Sequence, residues 1–361
     1  MKCTLRHIIQ QPIALAVAAM TLVPSCSKTP ADDKGTLTGL ELAAPCISAV
    51  TATTRTMPVE GTGFPWQPRD FRDGTDYDYF VGLWICDKGT YSPHLEGYCN
   101  KQMMFEAKQD GMQWHESDYR YPVKTIPARL SKSIDVYAYY PRIVVDLSNC
   151  TPENIPFTTQ DQHDWMWADK IVLNDIAPSS RDNRLKFNFH HAMTCLEVRL
   201  STLYDGEVTL NRITLSDAKG KLVAKGTMDI RNGELDFTED RAELTIKANN
   251  YVNEEFQVYK NLLPEAGEGY RSYCFIMPQK DFEAGDLTMT FIFDADEKQG
   301  LVPFVVPTRF KDSATGVETD VTTLETGKRY VLNLVIDNGL KIAPVRFSKE
   351  DWTTVDVDLK L

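Results

Sequence analysis

The chain has 361 residues with 51 acidic and 39 basic side chains, a formal net charge of −12. Phosphate binding depends on clustered Lys and Arg that release counterions, so an acidic chain without a basic stripe is excluded as a nucleic-acid partner. The length also exceeds the roughly 250–300 residues at which single cores stop growing, which predicts two domains.

Lys2, Arg6 and His7 form a charged head. Ile13 through Val23 is an almost unbroken apolar or small run, and Leu22-Val23-Pro24-Ser25-Cys26 sets a thiol directly after a small residue. A bilayer-spanning helix needs about 20 apolar residues. This run is shorter and ends at a small-residue site, so residues 1–25 read as a removed lipoprotein signal peptide. The site resembles a lipobox, with Pro24 as its unusual letter, and that resemblance implies lipid on Cys26. Each buried lipid methylene adds roughly 0.8 kcal/mol and stable anchoring takes more than one acyl chain. A triacylated Cys26 would therefore hold the protein on the outer membrane. Cleavage leaves 336 residues, and loss of Lys2 and Arg6 takes the charge to −14.

Residues 26–56 form an arm rich in Ser, Thr, Ala, Asp and Gly, interrupted by a strand candidate within Leu37–Val50. Beyond it the apolar period is two. Phe187 and Phe189 alternate with Asn188 and His190; Leu196, Val198 and Leu200 with Glu197 and Arg199; Leu287, Met289, Phe291 and Phe293 with Thr288, Thr290 and Ile292; and Tyr330, Leu332, Leu334 and Ile336 with Val331, Asn333 and Val335. Such alternation is the pattern of antiparallel sheets with one wet face. Asp110-Gly111, Asp205-Gly206, Lys219-Gly220, Asn232-Gly233 and Asn338-Gly339 supply hairpin turns between the runs. No stretch of ten residues carries a helical stripe. The reading is all-β, with two sandwiches in series at 57–202 and 203–361, divided at a polar seam near Ser201–Asp205.

Six cysteines remain after Cys3 and Cys26 are set aside. Cys46, Cys86, Cys99, Cys150, Cys195 and Cys274 allow 15 pairings. Their scatter reads as small buried hydrophobes, with Cys86–Cys99 the pairing to look for. Nucleophile elbow, zinc-protease, dinucleotide and phosphate-loop motifs are all missing from the sequence, so the chain reads as a non-enzyme without cofactor. No metal site is expected. His190 and His191 are adjacent and point to opposite faces in a strand, and His191 reads as a core residue. Acidic clusters at Asp294, Asp296 and Glu297 and at Asp236, Glu239 and Asp240 lack the spacing of a calcium loop. Trp165 and Trp167 could form a glycan-stacking platform or core, and core is preferred.

Five segments in chain order resemble the fimbrillin-like pilins of type V pili. They are Phe80-Val81-Gly82-Leu83-Trp84-Ile85, Val136-Tyr137-Ala138-Tyr139-Tyr140-Pro141, Asp161 through Ala168, Phe187 through Val198, and Gly327-Lys328-Arg329-Tyr330 with Val331–Ile336 and then Trp352. The resemblance implies two transthyretin-like β-sandwiches, export as a lipoprotein, and trimming by an Arg-specific protease that removes the lipidated arm with the first strand. A neighbouring subunit then supplies a strand, and unlike donor and acceptor surfaces propagate a head-to-tail polymer. Arg55 matches the cleavage arginine and Thr56 would become the new N-terminus; an ordinary loop arginine is the other reading. The tail 342–361, with Val355, Val357, Leu359 and Leu361 alternating, is either the donor strand or the last strand of its own sheet. Asp312-Ser313-Ala314 resembles an O-glycosylation pattern at Ser313. Partners implied are other pilin subunits, the outer membrane through Cys26, and host glycan or protein. The subunit's place as shaft, tip or anchor stays open, as does a monomeric surface adhesin.

Overall fold

The computed structural model describes residues 36–43, 45–47, 80–108, 111–115, 123–147, 150–159, 163–178, 183–241, 243–247, 271–295 and 298–352. Every regular element among them is a strand. The first part supplies β1 (Leu37–Leu42), β2 (Cys46–Ile47), β3 (Val81–Asp87), β4 (Lys101–Lys108), β5 (Gly111–His115), β6 (Thr125–Arg129), β7 (Ile134–Tyr140), β8 (Ile155–Thr158), β9 (Met166–Ala168), β10 (Ile171–Leu173), β11 (Arg184–Leu185) and β12 (Asn188–His191). The second part supplies β13 (Thr194–Thr202), β14 (Val208–Asp217), β15 (Leu222–Asp229), β16 (Glu234–Arg241), β17 (Glu243–Lys247), β18 (Arg271–Met277), β19 (Lys280–Asp281), β20 (Leu287–Ala295), β21 (Lys298–Val305), β22 (Arg309–Asp312), β23 (Glu318–Asp320), β24 (Thr323–Leu324), β25 (Lys328–Ile336) and β26 (Ile342–Asp351).

Two apolar cores follow from these strands. In the first, a three-stranded sheet, β11-β1-β6, faces an eight-stranded sheet in the order β2-β12-β9-β7-β3-β4-β5, with β10 added to β7. Leu40, Val81, Leu83, Ile126, Val136, Leu185 and Phe189 meet between them. In the second, the six-stranded sheet β18-β13-β25-β26-β22-β23 faces the four-stranded sheet β17-β14-β20-β21. Here Leu196, Val198, Leu210, Phe291, Phe293, Tyr330 and Leu332 form the core. The cores hand over between Phe189 and Leu196, so β13 builds the second one.

Local sequence explains most of this. In β20, Leu287, Met289, Phe291 and Phe293 are buried while Thr288, Thr290 and Ile292 are half-buried, the alternation that period two demands. β3 and β7 carry apolar residues on both faces and are buried on both. Gly82 in β3 is there for space: a Cβ would lie 2.2 Å from the Tyr139 ring. That ring is pinned by its hydroxyl donating to Asn100 Oδ1 at 2.7 Å.

Three expectations need correction. The sheets are mixed, not purely antiparallel: β13–β25, β1–β11, β2–β12 and β22–β26 are parallel pairs. Parallel partners come from distant parts of the chain, which local alternation cannot report. β25 has no wet face, since Val331, Asn333 and Val335 are buried along with Tyr330, Leu332 and Leu334. At Asn338-Gly339 the positive φ falls on Leu340, at 57°, rather than on the glycine. Asp337 holds this turn by accepting from the amides of Gly339 and Lys341 at 2.8 and 2.9 Å.

A third apolar cluster joins the two parts. Trp84, Cys86, Tyr137 and Tyr139, on the outer face of β3 and β7, pack with Ile155, Phe157, Trp165, Met228, Ile230, Cys195 and Trp352. β8 pairs with β15 of the β15–β16 hairpin, so one small sheet is built from both parts. Arg231 near the hairpin tip pairs with Glu153 at 2.5 Å, and Tyr91 donates to Glu153 at 2.6 Å. Exposed pairs of this kind add at most about 1 kcal/mol. Burial of the aromatic residues dominates the junction at roughly 25 cal/mol per Å².

Burial pushes the Cys86 thiol up to about 12 and the Cys150 thiol to about 11. The Cys195 thiol is raised first by its hydrogen bond with Cys274 and then by burial. Cys86 carries no disulfide in the structure, which does not show a Cys86–Cys99 bridge.

Asp217, buried at the end of β14, sets the Lys219-Gly220 turn and the approach of β19. It accepts from the amides of Lys219 and Lys221 at 3.0 and 2.8 Å and from Lys280 Nζ at 2.6 Å. Burial alone would raise its carboxyl, but the Lys280 hydrogen bond and the two amides outweigh burial and hold it below the ordinary carboxylate value. A depressed folded value means the unfolded chain binds more protons, so this stabilisation is full above the unfolded carboxyl value of about 3.9 and is lost as pH falls through the folded one. Asp217→Ala should cost roughly 3 kcal/mol at neutral pH, because it leaves Lys280 without its counter-charge. Its stability should also fall less steeply below about pH 4 than that of the wild type. Urea unfolding at pH 7 and at pH 3 reads both effects.

Candidate functional site

β1 is the middle strand of its sheet, although it comes from the arm that precedes the folded body. It runs antiparallel to β6, pairing Leu37 with Arg129, Gly39 with Pro127, Leu40 with Ile126 and Glu41 with Thr125. It runs parallel to β11, pairing Glu41 with Arg184 and Leu42 with Leu185. Its amides and carbonyls are taken on both sides: Glu41 N donates to Asn183 O, Leu42 N to Lys124 O and Ala43 N to Leu185 O, each at 2.9 Å, and Thr36 O accepts from Leu130 N at 2.9 Å.

Thr38, Leu40 and Leu42 point inward and Leu37, Gly39 and Glu41 outward. Leu40 is fully buried against the first core. Trp114 Nε1 donates to Ala43 O at 2.8 Å, and the Trp114 ring meets Phe187 edge-on at 5.9 Å. At the rim Glu41 Oε1 lies 3.7 Å from Arg184 Nε, both side chains more than half exposed. After Pro45 the chain crosses to the other sheet, where β2 lies parallel to β12. The strand expected within Leu37–Val50 is thus two short ones, broken at Ala43–Pro45. β1–β2 and β11–β12 run side by side from one sheet to the other.

This arrangement makes β1 separable in sequence and integral in space. Withdrawing it would uncover Leu40, worth about 2 kcal/mol of burial. It would also leave two rows of backbone groups open, at roughly 1–3 kcal/mol for each one cut off from water. Against a domain stability of about 5–15 kcal/mol, an empty slot is a site that must be refilled.

Cys26, Arg55 and Thr56 lie outside the described residues, as do Val355, Val357, Leu359 and Leu361. Arg55 follows both β1 and β2 in the sequence, so a cut there would detach the two together. The first ten residues of the 342–361 tail are β26, which pairs antiparallel with β25 in the chain's own sheet. Trp352 ends that strand as a buried anchor, its ring stacked on His191 at 4.0 Å and its amide donating to Gly327 O at 2.9 Å. His191 is buried, with Nδ1 2.9 Å from an Asp164 carboxylate oxygen.

Trp165 is a core residue, buried to 2 % exposure, with Nε1 donating to Thr158 O at 3.3 Å. Trp167 is half-buried and stacked on His190 at 4.6 Å. The two indoles do not form a shared exposed platform, because Trp165 is buried within the junction cluster and Trp167 packs half-buried against it. Ser313 is exposed on a turn ordered by Asp312, whose Oδ1 accepts from the Thr315 amide at 2.8 Å and the Ala314 amide at 3.1 Å. These bonds, first that from the Thr315 backbone, hold the Asp312 carboxyl below its ordinary value. Among the described residues no group of three His, Cys, Asp or Glu side chains could hold a metal ion.

Sequence reasoning identified the strand but missed its slot. Ile126, Ala128, Leu185 and Arg184 line or rim it, and β6 and β11 are too short to stand out by periodicity. Leu40→Ala should destabilise the full-length chain by about 2–5 kcal/mol. Protein lacking residues 1–55, whose slot has lost β1, should melt at a lower temperature than the full-length chain, which thermal melts of the two forms would show.

The chain was compared with known proteins. The fimbrillin-like family matches residues 81–352. A search of curated proteins finds no match. Among solved structures, a proposed cell adhesion protein from Bacteroides ovatus is 16 % identical, covers 89 % of this chain and 99 % of its own, and has a TM-score of 0.50. A fimbrial protein from Bacteroides vulgatus is 14 % identical over 76 % of this chain and 93 % of its own, with a TM-score of 0.41. The C-terminally truncated tip fimbrial protein Mfa3 from Porphyromonas gingivalis is 10 % identical over 77 % and 96 %, with a TM-score of 0.35. At such identities the first likeness speaks for the fold alone. The family match spans about three quarters of the sequence, from β3 to Trp352, and by it the chain belongs to the fimbrillin-like family.

Proposed function

We propose that the protein is a structural pilin or pilus-associated subunit that supports adhesion, and that it assembles by exchanging β1 for a strand of the next subunit. The observation that carries this reading is the position of β1, a middle strand contributed by a segment that ends before the rest of the first core begins. In this scheme lipid on Cys26 brings the precursor to the outer membrane and an Arg-specific protease cuts after Arg55. Residues 26–55 leave with β1 and β2, Thr56 becomes the N-terminus, and the two sandwich bodies, whose cores hand over between Phe189 and Leu196, remain in the surface fimbrium. The work is mechanical, with no catalytic step and no cofactor.

The tail supplies a donor whose pattern fits the vacated slot. β1 places Thr38, Leu40 and Leu42 inward, and Val355-Asp356-Val357-Asp358-Leu359-Lys360-Leu361 alternates in the same way. Three registers keep the apolar pattern when the donor enters with the polarity of β1; the one with Val355 at the Leu40 position would draw Trp352, buried in its own subunit, to the Leu37 position, which leaves two. Placing Leu359 at the Leu40 position sets Lys360 beside Arg184, like against like. Placing Val357 there sets Leu359 at Leu42 and Asp358 at Glu41, so Asp358 inherits the Arg184 pairing. Charge selects the second register. Asp356 then stands at Gly39, where a Cβ meets Thr125 Cβ at 3.0 Å, so Thr125 must give by a few tenths of an ångström.

In cells, Arg55→Ala should leave a longer, lipid-bound precursor and shorten or abolish filaments. Fibres of normal length from that variant would overturn the cleavage step and leave a monomeric surface lipoprotein adhesin as the reading. Mass spectrometry of shed protein should find Thr56 at the N-terminus, whereas a chain beginning at lipidated Cys26 marks an uncut anchor. Arg184→Glu and Asp358→Lys should each slow assembly by about fivefold, the scale of an exposed pair worth up to 1 kcal/mol. The double variant should recover the rate, and a double variant as slow as the singles would reject the register.

A further inference from the structure

A cavity of about 320 Å³ opens between the β15–β16 hairpin and the turns that follow β18 and β24. Its apolar wall is Leu235, Pro278 and Phe237, and its polar wall is Gln279, Asp281 and Thr326. Phe237 is 46 % exposed, unusual for a phenylalanine. Its ring is held in place by a perpendicular contact with Phe157 at 6.3 Å, and Phe157 meets Trp165 at 6.0 Å in the same manner. An exposed aromatic ring with a fixed orientation is a surface for a flat apolar ligand face.

The polar wall is oriented at Asp281 and under-used at Gln279 and Thr326. Asp281 Oδ1 accepts from Thr323 Oγ1 at 2.6 Å, which orients the carboxylate and leaves Oδ2 open. Among the described residues the Gln279 amide and the Thr326 hydroxyl have no hydrogen-bond partner. Trp167 backs the hairpin close by: a Cβ on Gly233 would lie 2.0 Å from Trp167 Nε1, so glycine there lets the β15–β16 turn sit against the indole.

These features narrow the ligand. An apolar molecule would cover Gln279, Thr326 and the open Asp281 oxygen without replacing their water, which is costly. A phosphate, sulfate or carboxylate would meet Asp281 with no Lys or Arg in the lining to hold it. A cavity of this size lies at the small end of the roughly 300–1,000 Å³ of small-ligand sites. A pyranose ring has an apolar C–H face for Phe237 and a rim of hydroxyls that both donate and accept, matching amide, carboxylate and hydroxyl. We propose that this cavity is a binding site for a neutral saccharide, with Phe237 as the stacking ring and Gln279, Asp281 and Thr326 as the hydroxyl contacts. It adds recognition to the assembly role and does not depend on strand exchange.

The test uses the full chain and a panel of methyl glycosides of neutral hexoses and N-acetylhexosamines, with sialylated and sulfated sugars alongside. Saturation-transfer NMR at millimolar sugar should show transfer to ring C–H protons of at least one neutral glycoside. Phe237→Ala should abolish the signal, and Gln279→Ala and Asp281→Asn should each weaken binding about tenfold. Gln279→Ala disturbs no internal contact, so its effect is readable even if Phe237→Ala lowers stability. No transfer from any neutral sugar, a preference for the acidic ones, or binding untouched by Phe237→Ala and Gln279→Ala would each overturn the proposal. Filament formation is measured on the same variants. Normal filaments without sugar binding would reject this site while leaving the assembly role intact, and sugar binding without filaments would do the reverse.

Discussion

A strand hydrogen-bonded on both edges cannot be removed without opening two rows of backbone groups, and β1 is such a strand. It is flanked by β6 on one side and β11 on the other, with Leu40 pressed into the first core. Open sheet edges recruit other chains, so proteins normally cover or blunt them. Here the cover comes from an arm that the sequence keeps apart from the body by residues 48–79. The rest of the proposed assembly depends on that one constraint: the slot is stable when filled and intolerant of being empty, whatever fills it.

The remainder of the molecule ties this slot's core to the second core. The eight-stranded sheet is buried on both faces at β3 and β7, one face against the slot's core and the other against the junction. The junction ties the hairpin β15–β16 to β8 and closes over Trp352, the last described residue. Trp352 stacks on His191, which pairs with Asp164, so the last described residue is packed into the junction. The apolar cluster carries the junction's stability, and the Arg231, Glu153 and Tyr91 contacts at its rim add orientation more than energy.

Much of the fold was legible in one dimension because the signals are local. Period-two alternation in Leu287–Phe293 and Leu196–Leu200 reports strands directly. Gly220 and Gly233 take positive φ at 69° and 77°, as hairpin turns require. The resemblance of five ordered segments to fimbrillin-like pilins pointed to the family that residues 81–352 match. The less legible features are long-range. β11 is two residues long and β12 four, and neither length nor pattern separates them from loop until their parallel partners β1 and β2 are seen. Trp165 and Trp167 look equivalent at i and i+2 and both meet the junction cluster, yet Trp165 is buried within it and Trp167 lies half-buried at its edge, stacked on His190.

By itself, then, the amino-acid sequence determined an all-β chain of short alternating strands and tight turns. These properties depend on residue type and on neighbours a few positions away. Tertiary structure alone decided which strands are neighbours: that β1 is a middle strand, that β13 lies parallel to β25, that β25 is buried on both faces, and that Phe237, Gln279, Asp281 and Thr326 surround one cavity. Pairing between distant segments is settled by how whole faces bury against one another, and no local pattern encodes that choice.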